Sequence, residues 1–249
     1  MTGRVMIIGL GPGPAKWVTP EANTLLAEAT DIIGYGPYVA RVPPSKAVRH
    51  ASDNRVEIDR ARHALELAAD GAQVAVVSGG DPGVFAMAAA VFEAVEVGEE
   101  SWRELDIVVA PGVTAVLAAS ARIGAPLGHD FCVISLSDNL KPWSIIEKRL
   151  VAAVEGDFVL ALYNPASKAR PDQIARAFEI LRRKAGERVV ILAKAVGRPD
   201  EEIVYTSLKA VEPADVDMRT LVLIGSSQTR MIAREDKEPW VYSPRRWEA

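Results

Sequence analysis

The sequence predicts an α/β protein built of two α/β domains, and three observations support this fold class. Short apolar runs rich in β-branched residues alternate with segments of helical spacing. Most of these runs end in a loop that contains glycine, proline or asparagine. The chain of 249 residues, 49% hydrophobic and 25% charged, is long and apolar enough for one or two globular domains, which excludes disorder, collagen and coiled coil.

The first half of the chain predicts strands separated by helices. Arg4–Gly9 is a β-branched run that ends in glycine, as a buried strand does. Thr19 is placed to cap a helix that starts at Pro20, and Gly71 ends a later helix. Such alternation is typical of a parallel sheet covered by helices. The further predicted strands are 31–34, 73–78 and 105–110, and the further helices are 58–69, 84–97 and 113–123.

Clustered glycine and proline between residues 124 and 143 predict a domain boundary. We place it so that residues 1–128 form an N-terminal α/β domain with the glycine-rich loops, and residues 129–249 form a C-terminal α/β domain. The runs 202–206 and 220–225 have no long helix between them, which indicates an antiparallel portion. The other elements predicted here are strands 131–136, 158–163 and 188–193 and helices 144–154 and 171–185.

Composition excludes several classes of function. The net charge of −4 disfavours nucleic-acid binding, because a surface that binds the phosphate backbone normally carries an excess of positive charge. A single cysteine, Cys132, excludes an intrachain disulfide, and His50, His63 and His129 show no metal-ligand spacing. No apolar run approaches the ~20 residues of a membrane span. We therefore expect a cytoplasmic protein without a metal, a nucleic-acid partner or a membrane partner.

The loop after the first strand, Gly9-Leu10-Gly11-Pro12-Gly13, is a tight turn that lets a ligand approach the backbone. It departs from the dinucleotide fingerprint, because Pro14 stands where the third glycine belongs. Asp31 also stands at the beginning of the second strand, whereas that fingerprint needs an acidic residue at its end.

Three later strand ends carry further candidate residues. In the loop GGDPGVF, Asp81 either binds a ribose or an amino group, or caps the next helix. Thr114 in PGVTA either binds a ligand or caps a helix, and Asn164-Pro165 is a turn signal in its own right. Loops at the carboxyl ends of parallel strands are where such sheets bind ligands.

In their order along the chain, the loops GLGPG, GGDPGVF, PGVTA and LYNPAS resemble the tetrapyrrole (class III) S-adenosylmethionine-dependent methyltransferases of cobalamin biosynthesis. Gly124–Trp143 and Leu162–Arg170 (LYNPASKAR) resemble the members that methylate carbon 17 of precorrin-3B and contract its macrocycle to precorrin-4. The resemblance extends to about Arg234. It implies two α/β domains with an active-site cleft between them, and a homodimer.

The resemblance also implies S-adenosyl-L-methionine as methyl donor, S-adenosyl-L-homocysteine as product and a tetrapyrrole, precorrin-3B, as substrate. The arginines Arg170 and Arg198 are candidates for pairing with substrate carboxylates. The cofactor contacts carried over by the resemblance are Pro12, Gly79, Gly80, Asp81, Val84, Thr114, Ala115, Tyr163, Asn164 and Ala195.

Ring contraction requires proton transfers, so we expect a general acid or base. The candidates are His129, Asp138 and Lys141, which we expect to cluster beside the domain crossing with Ser135 as a hydrogen-bond partner. Each has a structural alternative: His129 in a linker turn, and Asp138 as a cap for the next helix.

Other functions stay open at this point. One is a methyltransferase of the same fold that acts on carbon 11 or 20 of a precorrin, or on RNA ribose. Another is a nicotinamide-dependent oxidoreductase, which Pro14 and Asp31 disfavour. A third is a nucleotide-binding module without catalytic activity.

Overall fold

The structure, a computed structural model, describes residues 3–53, 56–167 and 169–247. The chain divides into two compact units, Met1–Thr114 and Ala115–Ala249. This division lies on the N-terminal side of the expected boundary between residues 128 and 129. The physical reason is the helix Ala115–Ile123, which packs against strands of the second unit.

The first unit is a five-stranded, entirely parallel sheet covered by helices. Its strands are β1 (Arg4–Gly9), β2 (Asp31–Tyr35), β3 (Val48–Ser52), β4 (Gln73–Ser78) and β5 (Asp106–Ala110), in the order β3-β2-β4-β1-β5. Its helices are α1 (Pro20–Glu28), the short α2 (Gly36–Val39), α3 (Glu57–Ala69) and α4 (Met87–Val97).

Local signals explain where several of these elements begin. The Thr19 hydroxyl caps α1 as predicted, accepting a hydrogen bond from the Ala22 backbone N–H at 3.1 Å. Helix α4 starts later than the predicted residue 84, because the preceding residues form turns in which Phe85 has a φ of 53°. The edge strand β3 is absent from the sequence prediction, since none of its five residues is buried and the polar Arg49, His50 and Ser52 interrupt any apolar run.

The second unit holds a mixed five-stranded sheet and a small three-stranded sheet. In chain order its elements are α5 (Ala115–Ile123), β6 (Gly124–Ala125), β7 (Phe131–Ser135), α6 (Trp143–Glu155), β8 (Val159–Tyr163), α7 (Gln173–Ala185), β9 (Val189–Lys194), β10 (Glu202–Ser207), β11 (Thr220–Ile224), β12 (Arg230–Arg234) and β13 (Lys237–Tyr242).

The larger sheet of this unit has the order β10-β9-β11-β8-β7. Strands β7 and β8 are parallel, and β11 runs antiparallel to both β8 and β9. The antiparallel portion that the sequence predicts is therefore confirmed. The small sheet, β12-β13-β6, is absent from the prediction, because its hairpin is exposed along most of its length and mixes charged with apolar residues without a regular alternation.

Each unit has its own hydrophobic core. In the second unit, α6 and α7 cover one face of the larger sheet around fully buried Phe178 and Leu150. In the first unit, helices cover both faces of the sheet. Among the described residues, no helix is long and apolar enough to cross a membrane.

Candidate functional site

Three glycine-containing loops of the first unit meet at the carboxyl edge of its sheet. They follow the adjacent strands β4, β1 and β5, and the Gly11 N–H donates to the Gly80 carbonyl oxygen at 3.1 Å. Gly11 and Gly80 have φ angles of 63° and 75°, which favour glycine. A Cβ atom on Gly112 would lie 2.3 Å from the Gly80 carbonyl oxygen. The loop backbones therefore touch one another, and this contact requires glycine.

Asp81 connects two of these loops. Its Oδ1 accepts a hydrogen bond from the Gly83 N–H at 2.8 Å, and its Oδ2 accepts one from the Gly112 N–H at 3.0 Å. The next helix, α4, is preceded by Ala86, which provides no side-chain cap. The alternative in which Asp81 caps that helix is wrong, because its carboxylate instead positions the loop that follows β5.

The remaining predicted cofactor contacts of the first unit lie in the same loops. Pro12 follows β1, Gly79 and Val84 follow β4, and Thr114 follows β5. A Cβ atom built on Gly80 would meet nothing closer than the Thr114 Cα atom at 3.9 Å. This edge thus combines close backbone packing with open space beside Gly80, as a binding site for a small ligand requires.

Two residues at this edge are missing from the sequence analysis. The Arg41 guanidinium Nη2 donates to the carbonyl oxygens of Leu10 at 2.8 Å and Gly13 at 3.0 Å, so it holds the first glycine loop. The Tyr38 ring lies against Gly79, where a Cβ atom would come within 2.7 Å of the ring. Both residues follow the carboxyl end of β2. The expectation that ligands bind in loops at the carboxyl ends of parallel strands could therefore have identified them as well.

Side chains, rather than glycines, meet at the corresponding edge of the second unit. Ser135 at the end of β7 pairs in register with Tyr163 at the end of β8. The Asn164 Nδ2 donates to the buried Ser135 Oγ at 3.0 Å. The Tyr163 hydroxyl oxygen accepts a hydrogen bond from the Val116 N–H at 2.9 Å, in the first turn of α5. This bond fixes the helix start that contains Ala115.

Ala195 follows β9 at the same edge, because β11 runs antiparallel to both β8 and β9. Ala195 and Asn164 have φ angles of 49° and 51°, a left-handed conformation that is uncommon for residues other than glycine. Such residues cost about 1–3 kcal/mol each and are found preferentially at functional sites. Arg198 lies in the turn that follows, with its N–H donating to the Ala195 carbonyl oxygen at 2.9 Å.

Asp138 and Lys141 lie in the loop between β7 and α6. The Gln173 Nε2 donates to both carboxylate oxygens of Asp138, at 3.2 and 3.0 Å, and the Lys141 Nζ donates to the Ser137 carbonyl oxygen at 3.0 Å. Helix α6 is preceded by Pro142 and has no side-chain cap. The alternative role of Asp138 as a helix cap is therefore wrong, because its carboxylate instead holds this loop on the first residue of α7.

The surroundings of Lys141 disfavour its charged form. Partial burial lowers the pKa of Lys141, and the positive charges of Arg149 and Arg170 lower it further. The Asp138 carboxylate opposes this shift by raising the pKa.

His129 does not join this group, and the expectation that it clusters with Asp138 and Lys141 is wrong. It precedes β7, whereas Asp138 follows that strand. Five residues at about 3.3 Å each separate the strand ends by roughly 15 Å. The Asp130 N–H donates to the His129 Nδ1 at 2.9 Å, a local contact that fits the linker-turn alternative.

The structure also places Asp31, His50 and His63 of the first unit near one another. Asp31 at the amino end of β2 contacts the His50 Nε2 at 2.7 Å, so it lies at the opposite end of the strand from the ribose position of a dinucleotide site. The ring centroids of His50 and His63 are 4.9 Å apart, although the sequence suggests no relation between them. No group of three metal-ligating side chains occurs among residues 3–53, 56–167 and 169–247.

Comparison with known proteins decides the family. The family model described as Tetrapyrrole (Corrin/Porphyrin) Methylases matches residues 4–212. The chain belongs to the tetrapyrrole methylase family. The resemblance inferred from the strand-end loops is thereby confirmed. Lys168, part of one of those motifs, lies outside the described residues.

Two full-length relatives of this tetrapyrrole methylase carry a carbon position in their names. A precorrin-3B C(17)-methyltransferase of Sinorhizobium sp is 54% identical over 98% of this chain and 97% of that protein. A probable cobalt-factor III C(17)-methyltransferase of Salmonella typhimurium is 42% identical over 90% of this chain and 92% of that protein. The chain also matches CobIJ of Mycobacterium bovis at 48% identity, spanning 49% of that longer protein.

Solved structures agree with the family fold. The crystal structure of the methyltransferase CobJ superimposes on this tetrapyrrole methylase with a TM-score of 0.93 at 54% identity, covering 97% of this chain and 100% of that one. The Thermus thermophilus uroporphyrin-III C-methyl transferase complexed with S-adenosyl homocysteine shares the fold, with a TM-score of 0.63 at 24% identity over 90% and 92% of the two chains. The predicted α/β fold of two units is confirmed.

Proposed function

We propose that this tetrapyrrole methylase transfers a methyl group from S-adenosyl-L-methionine to carbon 17 of precorrin-3B and contracts the macrocycle to precorrin-4 in cobalamin biosynthesis. The observation that carries this proposal is the 54% identity, over 98% of the chain, to the Sinorhizobium precorrin-3B C(17)-methyltransferase. The identity to the Salmonella cobalt-factor III relative is lower, at 42%, which favours the cobalt-free substrate.

The strand-end loops of the first unit fit the proposed cofactor. Glycine backbones approach one another there, and open space lies beside Gly80. When bound, S-adenosyl-L-methionine supplies an electrophilic methyl group on a sulfonium centre. The residues proposed to hold it are Pro12, Gly79, Gly80, Asp81, Val84 and Thr114 of the first unit, and Ala115, Tyr163, Asn164 and Ala195 of the second.

These residues promote methyl transfer by positioning. The Asp81 carboxylate already accepts two backbone N–H groups, which leaves neutral backbone groups to line the loops. A strong anionic contact to the sulfonium would stabilise the ground state and oppose the reaction, because the positive charge is lost in the transition state. Holding two reactants in line supplies about 7–11 kcal/mol of a barrier without any such contact.

The side chains after β7 are proposed to carry the proton transfers of ring contraction. Asp138 and Lys141 are the candidate acid and base, and Ser135 orients Asn164 nearby. The lowered pKa of Lys141 makes its ammonium a better proton donor than that of an ordinary lysine, which suits a general acid.

We also propose that the protein works as a homodimer in the cytoplasm, without a nucleic-acid or membrane partner. Side chains of the small sheet, Met231, Ile232 and Trp240, are 47%, 46% and 51% exposed, an apolar surface of the kind found at protein interfaces. The net charge of −4 is unfavourable for nucleic acid. Light scattering at micromolar concentration tests the assembly, and a monomer mass contradicts it.

Incubation with precorrin-3B and methyl-labelled S-adenosyl-L-methionine tests the proposed function. The expected product carries one labelled methyl group at carbon 17 and has the mass and contracted ring of precorrin-4. A parallel reaction with cobalt-factor III compares the two substrates named for the relatives. Label at a different carbon supports the alternative that a same-fold enzyme acts elsewhere on a precorrin, and no transfer to either substrate contradicts the proposal.

A further inference from the structure

Buried polar atoms without a hydrogen-bond partner concentrate in the segment that follows β8 and ends at the first residue of α7. They are the Ser167 Oγ, the Arg170 Nε and Nη1, and the Gln173 Oε1. In the part of the chain that the structure describes, the Arg170 side chain makes no hydrogen bond or ion pair. Buried polar groups are nearly always paired in folded proteins, so the Arg170 guanidinium is suited to an anionic ligand.

The other arginines with a buried atom of this kind differ from Arg170. Arg4 contacts the Asp106 carboxylate at 2.8 Å, and Arg188 contacts Asp157 at 2.8 Å. Arg41 donates to backbone carbonyls of the first glycine loop. Within the described residues, each of these guanidinium groups therefore already has a protein partner, and Arg170 stands apart.

Backbone hydrogen bonds and α7 hold this segment in place. The Ser167 N–H donates to the Arg170 carbonyl oxygen at 3.0 Å, and the Arg170 N–H donates back to Ser167 at 2.9 Å. Gln173 then binds the Asp138 carboxylate. One turn later, the Arg176 guanidinium lies 4.2 Å from the centre of the Trp143 ring. The loop from Ser137 to Trp143 is thus held at both ends by α7, and a rigid site loses less entropy when it binds a ligand.

Positive charge and an exposed apolar side chain meet at this loop. Lys141 lies close enough to Arg149 and Arg170 for their charges to act on it, while the nearby Asp138 carboxylate is engaged by Gln173. Leu140, the neighbour of Lys141, is 98% exposed. A cluster of cations beside an exposed leucine matches a ligand that carries carboxylates on an apolar body.

We propose that Arg170, Lys141 and the Ser167 hydroxyl bind one peripheral carboxylate of the tetrapyrrole, with Leu140 against its macrocycle. The proposal rests on the proposed function, because it takes the substrate to be a tetrapyrrole with acetate and propionate side chains. The planar guanidinium of Arg170 matches the two oxygens of a carboxylate, and the Lys141 ammonium adds a second cation. These residues would fix the orientation of the macrocycle and so determine which carbon is methylated.

Titration with uroporphyrin I, a stable tetrapyrrole with both kinds of carboxylate side chain, tests this subsite by fluorescence. We expect Arg170→Gln to weaken uroporphyrin binding by about tenfold or more, as the loss of a charged hydrogen-bond pair does. Arg183→Gln is the matched control, because Arg183 is 63% exposed on the last turn of α7, the helix that follows Arg170. Arg170→Lys should recover part of the affinity, since it restores the charge without the planar fork.

The carboxylate bound by Arg170 could belong to the tetrapyrrole or to the cofactor. S-adenosyl-L-homocysteine affinity, measured by calorimetry on the same variants, distinguishes these two sources. We expect it to stay within about twofold of the wild type, which also shows that the variants fold. Lys141→Gln provides a second variant with a smaller expected loss of uroporphyrin binding. Unchanged uroporphyrin binding in both Arg170→Gln and Lys141→Gln overturns the proposal.

A loss confined to S-adenosyl-L-homocysteine binding would assign the cluster to the cofactor's own carboxylate and also overturn the proposal. Failure of the proposed function has a different signature. In that case the wild type transfers no methyl group to precorrin-3B, whatever its affinity for uroporphyrin.

Discussion

The loops at the strand ends are held together by backbone contacts in the first unit and by side-chain contacts in the second. In the first unit, loops after β1, β4 and β5 approach through their backbones, and the contact with the Gly80 carbonyl oxygen leaves no room for a side chain on Gly112. In the second unit, the loops after β7 and β8 are joined by side chains, such as Ser135 with Asn164 and Asp138 with Gln173. A backbone surface can bind a cofactor by shape, whereas polar side chains can bind anions and move protons.

Substitution of Gly112 should have the largest effect, because it breaks the backbone contact of the first unit directly. The Cβ atom of Gly112→Ala would lie 2.3 Å from the Gly80 carbonyl oxygen. We expect S-adenosyl-L-homocysteine affinity to fall by about 100-fold, equivalent to about 2.8 kcal/mol, with a loss of stability of about 3 kcal/mol from overpacking. Calorimetry and thermal unfolding measure the two effects.

Gly36→Ala is the matched control for this variant. A Cβ atom on Gly36 meets nothing within 4 Å, and the residue begins α2 in the same unit. Its stability and cofactor affinity should stay close to those of the wild type. If Gly112→Ala behaves like Gly36→Ala, the loops of the first unit do not depend on their backbone contact.

Removal of the Asp81 carboxylate should have the next largest effect. Asp81→Ala deletes the acceptor for the Gly83 and Gly112 N–H groups. We expect a stability loss of about 2 kcal/mol, as for hydrogen bonds to a charged group, and about a tenfold loss of S-adenosyl-L-homocysteine affinity. Asp81→Asn should lie between, since its amide keeps one acceptor oxygen. Lost stability with unchanged affinity would limit Asp81 to a structural role.

Tyr163→Phe tests a side-chain contact of the second unit. The variant removes the hydroxyl oxygen that accepts the Val116 N–H at the start of α5. A neutral hydrogen bond of this kind contributes about 1 kcal/mol, so we expect a stability loss of that size. Tyr205→Phe is the control, because the Tyr205 hydroxyl forms no hydrogen bond within the described residues. Equal unfolding midpoints for the two variants would exclude a structural contribution of the Tyr163 hydroxyl.

Lys141→Gln should have the smallest effect and the opposite sign. Burial and the charges of Arg149 and Arg170 lower the pKa of Lys141 below its ordinary 10.5, so folding disfavours its charged form. Below the lowered pKa the folded protein carries the full penalty. Between that pKa and 10.5 the unfolded chain binds more protons, and stability rises with pH.

The expected result for Lys141→Gln is a small rise in unfolding temperature at neutral pH. It should be less than the ~2–4 °C that 1 kcal/mol gives for a chain of this size. The rise should disappear as the pH approaches 10.5. A midpoint that falls at neutral pH would mean that the Lys141 ammonium stabilises its loop.

The difference between the units also explains what the sequence reveals. Strands β1 and β4 are predicted with their observed bounds, because strands buried on both faces are continuous apolar runs. The glycine loops can be predicted from the sequence for a similar reason, since close backbone contact restricts the residue type at each position. The exposed strands β3 and β12 have no such pattern.

The side-chain contacts of the second unit cannot be predicted from the sequence in this way. Gln173 is one glutamine on a predicted helix, and only the fold brings it to Asp138, 35 positions earlier in the chain. His129 and Asp138 are near in sequence, yet β7 places them at opposite edges of the sheet. Distance along the sequence therefore does not predict which side chains of this unit come together.

Backbone loops of the first unit are proposed to bind the cofactor, while side chains of the second unit are proposed to move protons. The single-turnover reaction of Asp138→Asn with precorrin-3B tests this division of roles most directly. The amide keeps the shape of the side chain but removes its negative charge. We predict that precorrin-4 formation slows by at least about tenfold, within the range that a general acid or base contributes, while S-adenosyl-L-homocysteine affinity stays unchanged. Near-normal turnover at every pH, or a matching loss of S-adenosyl-L-homocysteine affinity, would contradict this account.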